Sequence, residues 1–202
     1  MKGGLTAIVD YGAGNLFSVK NALDFLGAES SICSDRAGIA KADRLILPGV
    51  GAFPDAMEKL ERTGLADAIV EEAGRKPLLG ICLGMQLLFE TGFEFGTTRG
   101  LGLIGGTVGL IDAPGLKIPH MGWSDVRRAG ACPLSEGVRE GESFYFVHSY
   151  RAVTDMGNVA LYAEYGGVVP ALVFRGGVFG CQFHPEKSGR AGLSILEKFV
   201  SL

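Results

Sequence analysis

A short stretch, residues 77–89, constrains the fold of this chain more than any other. It begins with a proline and a run of apolar residues, which is typical of a buried strand, and leucines then follow at helical spacing. Cys82 lies at the junction between Gly80 and Gly84, in the G-x-C-x-G pattern of a nucleophile elbow. Glycines on both sides permit a strained turn that pushes the middle side chain out of the sheet. The stretch therefore predicts a strand that turns directly into a helix, with a cysteine at the turn.

Two interpretations of Cys82 are open at this point. At the first turn of a helix, unpaired N–H groups and the helix dipole favour the thiolate over the thiol, which would make Cys82 a reactive nucleophile. The alternative is a small buried hydrophobic residue, the commonest state of a free cysteine. The other cysteines, Cys33, Cys132 and Cys181, form no C-x-x-C pair, and a chain of this size needs no disulfides. We therefore expect free thiols.

Strand and helix patterns alternate through the first half of the chain. Strands are predicted at residues 5–10, 28–33 and 44–47, and helices at residues 16–26 and 55–74. The second helix is expected to break at Gly64. Strands that alternate with helices of this length form a mainly parallel sheet with helices on both faces. The first half therefore predicts an α/β fold.

The pattern changes after Gly92. Glycines cluster as far as Gly115, and strand-like runs follow at residues 124–127, 144–147, 159–164, 171–174 and 178–183. These runs indicate antiparallel additions on one edge of the sheet. A final helix is predicted at residues 188–202, with Ser188 as its N-cap. Because the chain has 202 residues and no linker-like segment, we expect a single domain, residues 1–202.

Charge and hydropathy exclude several classes of partner. The net charge is −3 and no basic run occurs, so neither nucleic acid nor an anionic membrane is expected as a partner. The longest apolar window, residues 78–89, is well short of the ~20 residues that span a bilayer. The segment between Lys2 and Asp10 is too short for the core of a signal peptide. These features predict a cytoplasmic protein that acts on small molecules or proteins.

A nucleophilic cysteine needs a base, and the chain has three histidines, His120, His148 and His184. His184 is the best placed, because it follows an apolar strand-like run and α/β folds build their sites at strand ends. Glu186, two residues further on, can accept the second imidazole N–H and hold the tautomer, as the third member of a triad must. Without Cys82, the favoured interpretation of His184 would be a structural histidine that caps a loop. Together, the residues predict a Cys82–His184–Glu186 triad.

Two motifs in combination carry a family resemblance. Residues 80–86 (GICLGMQ) and residues 182–188 (QFHPEKS) resemble the class I, or triad, glutamine amidotransferases, which hydrolyse glutamine to glutamate and ammonia. Within that class, the chain is similar to the glutaminase subunits of imidazole glycerol phosphate synthases, which act in histidine biosynthesis. The segments that carry this similarity are residues 10–15 (DYGAGN), 48–53 (PGVGAF), 117–123 (KIPHMGW) and 145–150 (YFVHSY). The resemblance implies a flavodoxin-like open sheet with flanking helices, and the chain departs from the family pattern at Ser124, Gly177 and Cys181.

The resemblance also implies a role for each site residue. The Cys82 thiolate attacks the carboxamide of L-glutamine, His184 transfers the proton, and Glu186 orients the imidazole. The oxyanion hole is implied to comprise the N–H of Leu83 and the loop of Gly49, Val50 and Gly51. The ends of glutamine are implied to be held by Gln86 and Glu94, with the backbone around His148, Ser149 and Tyr150. The resemblance implies neither a cofactor nor a metal.

The partner implied by the resemblance is a (βα)₈-barrel cyclase subunit. Trp123 and Lys187 are candidate docking residues, because interfaces favour aromatic anchors with charged rims. The alternatives are a core tryptophan and a solvated lysine.

Two other functions compete with this interpretation. Triad glutaminases that feed anthranilate synthase or pyridoxal-phosphate synthase usually have a different oxyanion loop and lack the Met-Gly-Trp and Phe-Val-His motifs. A non-catalytic flavodoxin-like protein, in which Cys82 senses oxidants, would be expected to lack the His-x-Glu motif, which this chain contains.

Overall fold

Two β-sheets and six α-helices organise residues 3–202, which are the residues that the computed structural model describes. Met1 and Lys2, which the domain prediction and the signal-peptide argument included, lie outside them. The first half contains β1 (Thr6–Val9), α1 (Leu16–Phe25), β2 (Ser30–Cys33), α2 (Arg36–Lys41), β3 (Arg44–Gly49), α3 (Phe53–Arg62), α4 (Leu65–Ala73), β4 (Leu78–Cys82) and α5 (Leu83–Gln86). The second half contains β5 (Thr91–Gly92), β6 (Thr98–Arg99), β7 (Thr107–Leu110), β8 (His120–Arg128), β9 (Ser143–His148), β10 (Tyr150–Val153), β11 (Val159–Glu164), β12 (Val168–Arg175), β13 (Val178–Cys181) and α6 (Gly189–Val200).

The large sheet has nine strands in the order β2-β1-β3-β4-β13-β12-β11-β8-β9. Its first five strands run parallel to one another, and their order is that of a flavodoxin-like sheet. The remaining four strands extend this edge in antiparallel pairs. The predicted α/β class, with a mainly parallel sheet and antiparallel additions, is therefore confirmed.

The central strands are apolar because helices cover both faces of the sheet. Every residue of β1, β3 and β4 is buried, as expected for parallel strands in the middle of a sheet. Successive side chains point to opposite faces. Ala7 and Leu45 pack in one apolar cluster, and Ile8 and Ile46 pack in the other.

Most helix boundaries of the first half were predicted from local sequence signals. The helix α1 ends just before Gly27, which has a φ of +67°, and α3 and α4 are separated at Gly64, which has a φ of +69°. The short helix α2 was not predicted. Its signal was Asp35, whose carboxylate accepts a hydrogen bond from the Gly38 N–H at 2.7 Å and thereby caps the helix.

Two predictions for the region after Cys82 were wrong, and one sheet was missed. The helix that follows Cys82 is a single turn, because the carbonyls of Leu87 and Leu88 accept hydrogen bonds from Leu101 and Leu103 instead of continuing the helix. The glycine-rich segment contributes to a second sheet, of order β10-β7-β5-β6, which was not predicted. The strand β13 was expected among the antiparallel additions, but it runs parallel to β4.

Ser188 occupies the N-cap position of α6, as predicted, but its side chain makes no capping hydrogen bond to the helix. Its hydroxyl donates to the His184 carbonyl at 2.6 Å and accepts from the Tyr145 N–H at 3.0 Å. Ser188 therefore fastens the turn that carries His184 to strand β9. Across the part of the chain from residue 3 onwards, none of the helices combines the length and the apolarity needed to cross a membrane.

Candidate active site

Cys82 occupies a strained turn at the carboxyl end of β4. Its φ of 55° lies in a region that non-glycine residues rarely adopt, and such strain is concentrated at functional sites. A Cβ atom on Gly84 would lie 1.8 Å from the Leu47 carbonyl oxygen, and one on Gly80 would lie 2.6 Å from the Gly84 carbonyl oxygen. The flanking glycines are therefore required by close backbone packing, whereas the strained φ belongs to Cys82 itself.

The two interpretations of Cys82 each describe part of its surroundings. The residue is buried within an apolar cluster, and its thiol lies 3.8 Å from the Val147 carbonyl, to which it donates. Cys82 nevertheless lines a cavity. The helix α5 that follows Cys82 is only one turn long, shorter than predicted.

His184 and Glu186 form a buried pair at the carboxyl end of β13. Because β13 is parallel to β4, both strands end at the same edge of the sheet, which brings His184 beside Cys82. The Nδ1 atom of His184 lies 2.8 Å from Oε1 of Glu186, and both side chains are almost completely buried. Glu186 therefore accepts the Nδ1–H and leaves Nε2 of His184 as the nitrogen available to Cys82.

The surroundings of His184 favour its protonated form. Burial lowers the pKa of His184, but interactions with Cys82 and Glu186 outweigh burial and raise the pKa to about 9. Nε2 of His184 is buried and has no hydrogen-bond partner of standard geometry within residues 3–202. Cys82 and Glu186 therefore both favour the imidazolium, through hydrogen bonding and through charge.

A cavity of about 340 Å³ lies in front of these residues. Its volume is within the usual range for small-molecule sites. Ten of the residues assigned to the site from the sequence line it, namely Val50, Gly51, Cys82, Leu83, Gln86, Glu94, His148, Ser149, Tyr150 and His184. Pro119 and Val147 also line the cavity and were not predicted. Glu186 and Gly49 are not among the lining residues, and Glu186 contacts the cavity only through His184.

The loop after β3 has two different parts. Gly49 packs against the elbow, since a Cβ atom there would lie 2.6 Å from the Gly84 nitrogen. Val50 and Gly51 are exposed at the cavity, and Gly51 has a φ of +100°, which residues with a side chain rarely adopt. The freedom of the loop to present a backbone N–H therefore lies at Gly51, while Gly49 fixes its distance from the elbow.

Gln86 and Glu94 reach the cavity from separate parts of the chain. The Gln86 amide is nearly buried, and its Nε2 donates to the Tyr150 carbonyl at 2.9 Å and to the Gln182 side-chain oxygen at 3.0 Å. Glu94 is half-buried, and its Oε2 accepts from the Phe53 N–H at 2.7 Å at the start of α3. Both side chains are thus fixed by contacts with the protein.

His148 lies at the end of β9, opposite His120 on β8. Nδ1 of His148 bonds to the Tyr150 carbonyl at 2.8 Å, and Nε2 of His148 bonds to Nδ1 of His120 at 3.0 Å. His120 in turn bonds to the Ser124 hydroxyl at 2.8 Å through Nε2. Sequence reasoning gave no site role to His120 or Ser124, although both lie in or next to a quoted motif.

The two candidate docking residues are on the surface. Trp123 is 59% exposed and meets Tyr145 edge-on, with ring centroids 6.1 Å apart, so the alternative of a core tryptophan is wrong. Met121, on the same face of β8, is 62% exposed. Lys187 is also exposed, directly after Glu186.

The sequence is similar to those of known proteins over nearly its whole length. The family model described as glutamine amidotransferase class-I matches residues 7–202. The imidazole glycerol phosphate synthase subunit HisH of Streptococcus sanguinis strain SK36 is 52% identical over 194 residues, which cover 95% of this chain and 93% of that protein. The HisH subunit of Bacillus thuringiensis strain Al Hakam is 48% identical over 199 residues, which cover 96% of this chain and 93% of that protein.

Solved structures show the same fold. The structure of PurLQS from Thermotoga maritima has a TM-score of 0.77 and 25% identity, and covers 100% of this chain and 99% of that one. A crystal structure described as a glutamine amidotransferase has a TM-score of 0.75 and 22% identity, and covers 97% of this chain and 99% of that one. The chain therefore belongs to the class-I glutamine amidotransferase family, within the group of HisH subunits of imidazole glycerol phosphate synthase.

Proposed function

We propose that this chain hydrolyses L-glutamine to L-glutamate and ammonia through Cys82, His184 and Glu186. The ammonia passes to a (βα)₈-barrel cyclase subunit, which makes imidazole glycerol phosphate and AICAR in histidine biosynthesis. The observation that carries the proposal is the 2.8 Å contact between His184 and Glu186 at the edge of the cavity that Cys82 lines. Residues 1–202 act in this proposal as one cytoplasmic domain.

The first half of the reaction forms a thioester. The Cys82 thiolate attacks the carboxamide carbon, and the carbonyl electrons move to the oxygen. The His184 imidazolium donates its Nε2 proton to the departing nitrogen, which leaves as ammonia when the C–N bond breaks. Glu186 keeps Nδ1 protonated and stabilises the imidazolium, which accords with a His184 pKa of about 9.

The second half releases glutamate. His184, now neutral, takes a proton from water, and the resulting hydroxide attacks the thioester carbon. When the tetrahedral intermediate collapses, the C–S bond breaks and Cys82 leaves as the thiolate. The proton on His184 then completes the resting thiolate–imidazolium pair, so the cycle closes without a cofactor.

Both tetrahedral intermediates need N–H donors for their oxyanion. The Leu83 N–H, directly after the nucleophile, is one candidate, and the loop of Val50 and Gly51 supplies the other. Each such donor contributes ~10²–10³-fold in rate. The positive φ of Gly51 and the exposure of the loop support an N–H that adjusts its direction.

The charges of the cavity residues indicate which end of glutamine each of them binds. Glu94 attracts the α-ammonium group of glutamine and repels its α-carboxylate, and the Gln86 side-chain oxygen is a second acceptor for the ammonium. The α-carboxylate is then held by backbone N–H groups of the segment from His148 to Tyr150.

Ammonia released into water would be protonated and lost, so the partner must dock over the cavity mouth. The docking residues in this proposal are Trp123, with its exposed indole, and the charged Lys187, which directly follows Glu186.

The decisive experiment measures glutamine hydrolysis by the isolated chain and by its complex with the cyclase subunit, with and without the ligand of the cyclase. We expect slow hydrolysis by the isolated chain and a kcat that rises in the liganded complex far more than KM falls. Equal kcat values would contradict the coupling, and no hydrolysis in either sample would contradict the function.

A further inference from the structure

A chain of hydrogen bonds runs from strand β8 to the wall of the cavity. It joins the Ser124 hydroxyl to His120 at 2.8 Å, His120 to His148 at 3.0 Å, and His148 to the Tyr150 carbonyl at 2.8 Å. The two imidazoles are buried, with exposed fractions of 1% and 6%. The reaction scheme above uses neither ring.

Only one arrangement of protons satisfies every contact while both rings are neutral. The Tyr150 carbonyl can only accept, so His148 carries its proton on Nδ1 and its Nε2 is an acceptor. Nδ1 of His120 must therefore donate to His148, and Nε2 of His120 must accept from the Ser124 hydroxyl. Burial lowers the pKa of both histidines to about 4, which keeps the rings neutral at physiological pH.

Packing fixes the orientation of the inner ring. His120 is stacked on Tyr165, with ring centroids 4.1 Å apart, and on Phe146, at 4.8 Å. An imidazole in two stacking contacts has little freedom to rotate away from its hydrogen-bond partners.

The series of hydrogen bonds ends at a backbone carbonyl that also orients a side chain of the substrate pocket. The Tyr150 oxygen accepts both from His148 and from Nε2 of Gln86, at 2.8 and 2.9 Å. Because Nε2 of Gln86 is directed to this carbonyl and to Gln182, the side-chain oxygen of Gln86 is the atom left for a ligand donor. A primary ammonium group is such a donor.

We propose that Ser124, His120 and His148 are positioning residues that hold the Tyr150 carbonyl and thereby set the Gln86 amide to recognise the α-ammonium group of glutamine. This inference rests on the proposed function, because glutamine is the ligand concerned. None of the three residues contacts the reacting atoms, so their loss acts on substrate binding and not on the chemical step.

The first test measures the affinity for glutamine in a Cys82→Ala background, in complex with the cyclase subunit, by calorimetry. Ser124→Ala removes the first donor of the chain and leaves Nε2 of His120 buried without a partner, whereas Ser124→Thr keeps a hydroxyl. We expect Ser124→Ala to weaken binding about tenfold and Ser124→Thr to restore it. Equal affinities for the two variants would overturn the proposal.

The second test uses His148, with kinetics in the otherwise unmodified complex. His148→Asn places an amide N–H near the Nδ1 position and should keep KM within a few-fold of the original. His148→Leu has no donor and should raise KM about tenfold with little change in kcat. A fall in kcat at constant KM in His148→Leu would contradict a positioning role.

The third test does not depend on glutamine. Imidazole nitrogen NMR of the full chain at pH 7 should show His120 and His148 both neutral with the proton on Nδ1, and loss of that tautomer at either ring overturns the chain of hydrogen bonds. If the original complex neither binds nor hydrolyses glutamine, the proposed function fails, and the tautomers alone then decide whether the hydrogen-bond chain exists.

Discussion

Gly49 of β3 is paired directly with Cys82 of β4 in the parallel sheet. The nucleophile and the first residue of the candidate oxyanion loop therefore lie at the same level of the fold. Since neighbouring parallel strands end at one edge, the sheet itself sets the distance between the attacking sulfur and the loop that faces the oxyanion.

Cys82→Ala should abolish glutamine-dependent turnover of the complex and leave turnover with added ammonium intact. The thiolate is needed only to release nitrogen from glutamine. Product formation with each nitrogen source is the measurement. Glutamine hydrolysis that survives in Cys82→Ala would remove Cys82 from the triad.

His184→Asn and Glu186→Gln should differ in severity. His184→Asn removes the base and acid, and we expect a loss of roughly 10⁶-fold in kcat, as for loss of the nucleophile. Glu186→Gln keeps an acceptor near Nδ1 but loses the charge, so a loss of roughly 10⁴-fold is expected. Steady-state glutaminase assays of the two complexes compare them, and a more severe effect of Glu186→Gln would reverse the assigned roles.

Acid should destabilise the fold through the two buried neutral histidines. The pKa values of His120 and His148 are about 4 in the folded chain, below the ordinary 6.5, so the unfolded chain binds more protons between these values. Stability is therefore fully present above pH 6.5 and falls as pH drops towards 4, by up to ~1.4 kcal/mol per pH unit for each proton. Urea unfolding at several pH values measures how the unfolding free energy depends on pH. His148→Asn should reduce this slope by the amount that corresponds to about one bound proton.

His184 should have the opposite dependence. Its pKa is raised from 6.5 to about 9, so its contribution to stability is complete below pH 6.5 and is lost as pH rises through 9. Glu186→Gln removes one source of this shift. We expect the decline in unfolding free energy between pH 6.5 and 9 to be smaller in that variant, and an unchanged decline would count against the His184–Glu186 interaction as its cause.

Gly84→Ala should prevent close packing at the elbow. The new Cβ atom would lie 1.8 Å from a backbone oxygen, and backbone cannot move aside cheaply. A loss of ~3 kcal/mol or more in unfolding free energy is expected. Gly105→Ala is the matched control, because a Cβ atom there meets nothing within 4 Å, and thermal unfolding of the two variants should separate them clearly.

The docking surface can be tested with Trp123→Ala and Lys187→Ala. Loss of a buried aromatic anchor at an interface costs ~2 kcal/mol or more in binding. Titration of the cyclase subunit against each variant measures the affinity. Leu110→Ala, a change at another exposed apolar residue, is the control, and affinity equal to that control would take either residue out of the interface.

The elbow and the alternation of strands with helices could be predicted because their signals are local. The glycines around Cys82, the breaks at Gly27 and Gly64, and the apolar runs all act on neighbouring residues. The length of α5 could not be predicted in this way. It is set by hydrogen bonds from Leu101 and Leu103, which lie far along the chain.

In the site, too, local contacts could be predicted from the sequence and long-range contacts could not. His184 and Glu186 are two residues apart, so their pairing was predictable from spacing. The contact between His120 and His148 depends on the register of β8 against β9, which places the two residues opposite each other across 28 positions of sequence. No local pattern specifies that register.

Strand β8 carries two different sets of residues on its two faces. Met121 and Trp123 are exposed on one face, and His120 and Ser124 lie on the other, where they are connected to the cavity wall through His148. Because the side-chain period of a strand is two, the insertion or deletion of a single residue here would exchange the faces. Such a change would bury the tryptophan and expose the histidine together. A point substitution on this strand can therefore alter either the surface proposed for the partner or the pocket proposed for the substrate. A change in the length of the strand would disrupt both together.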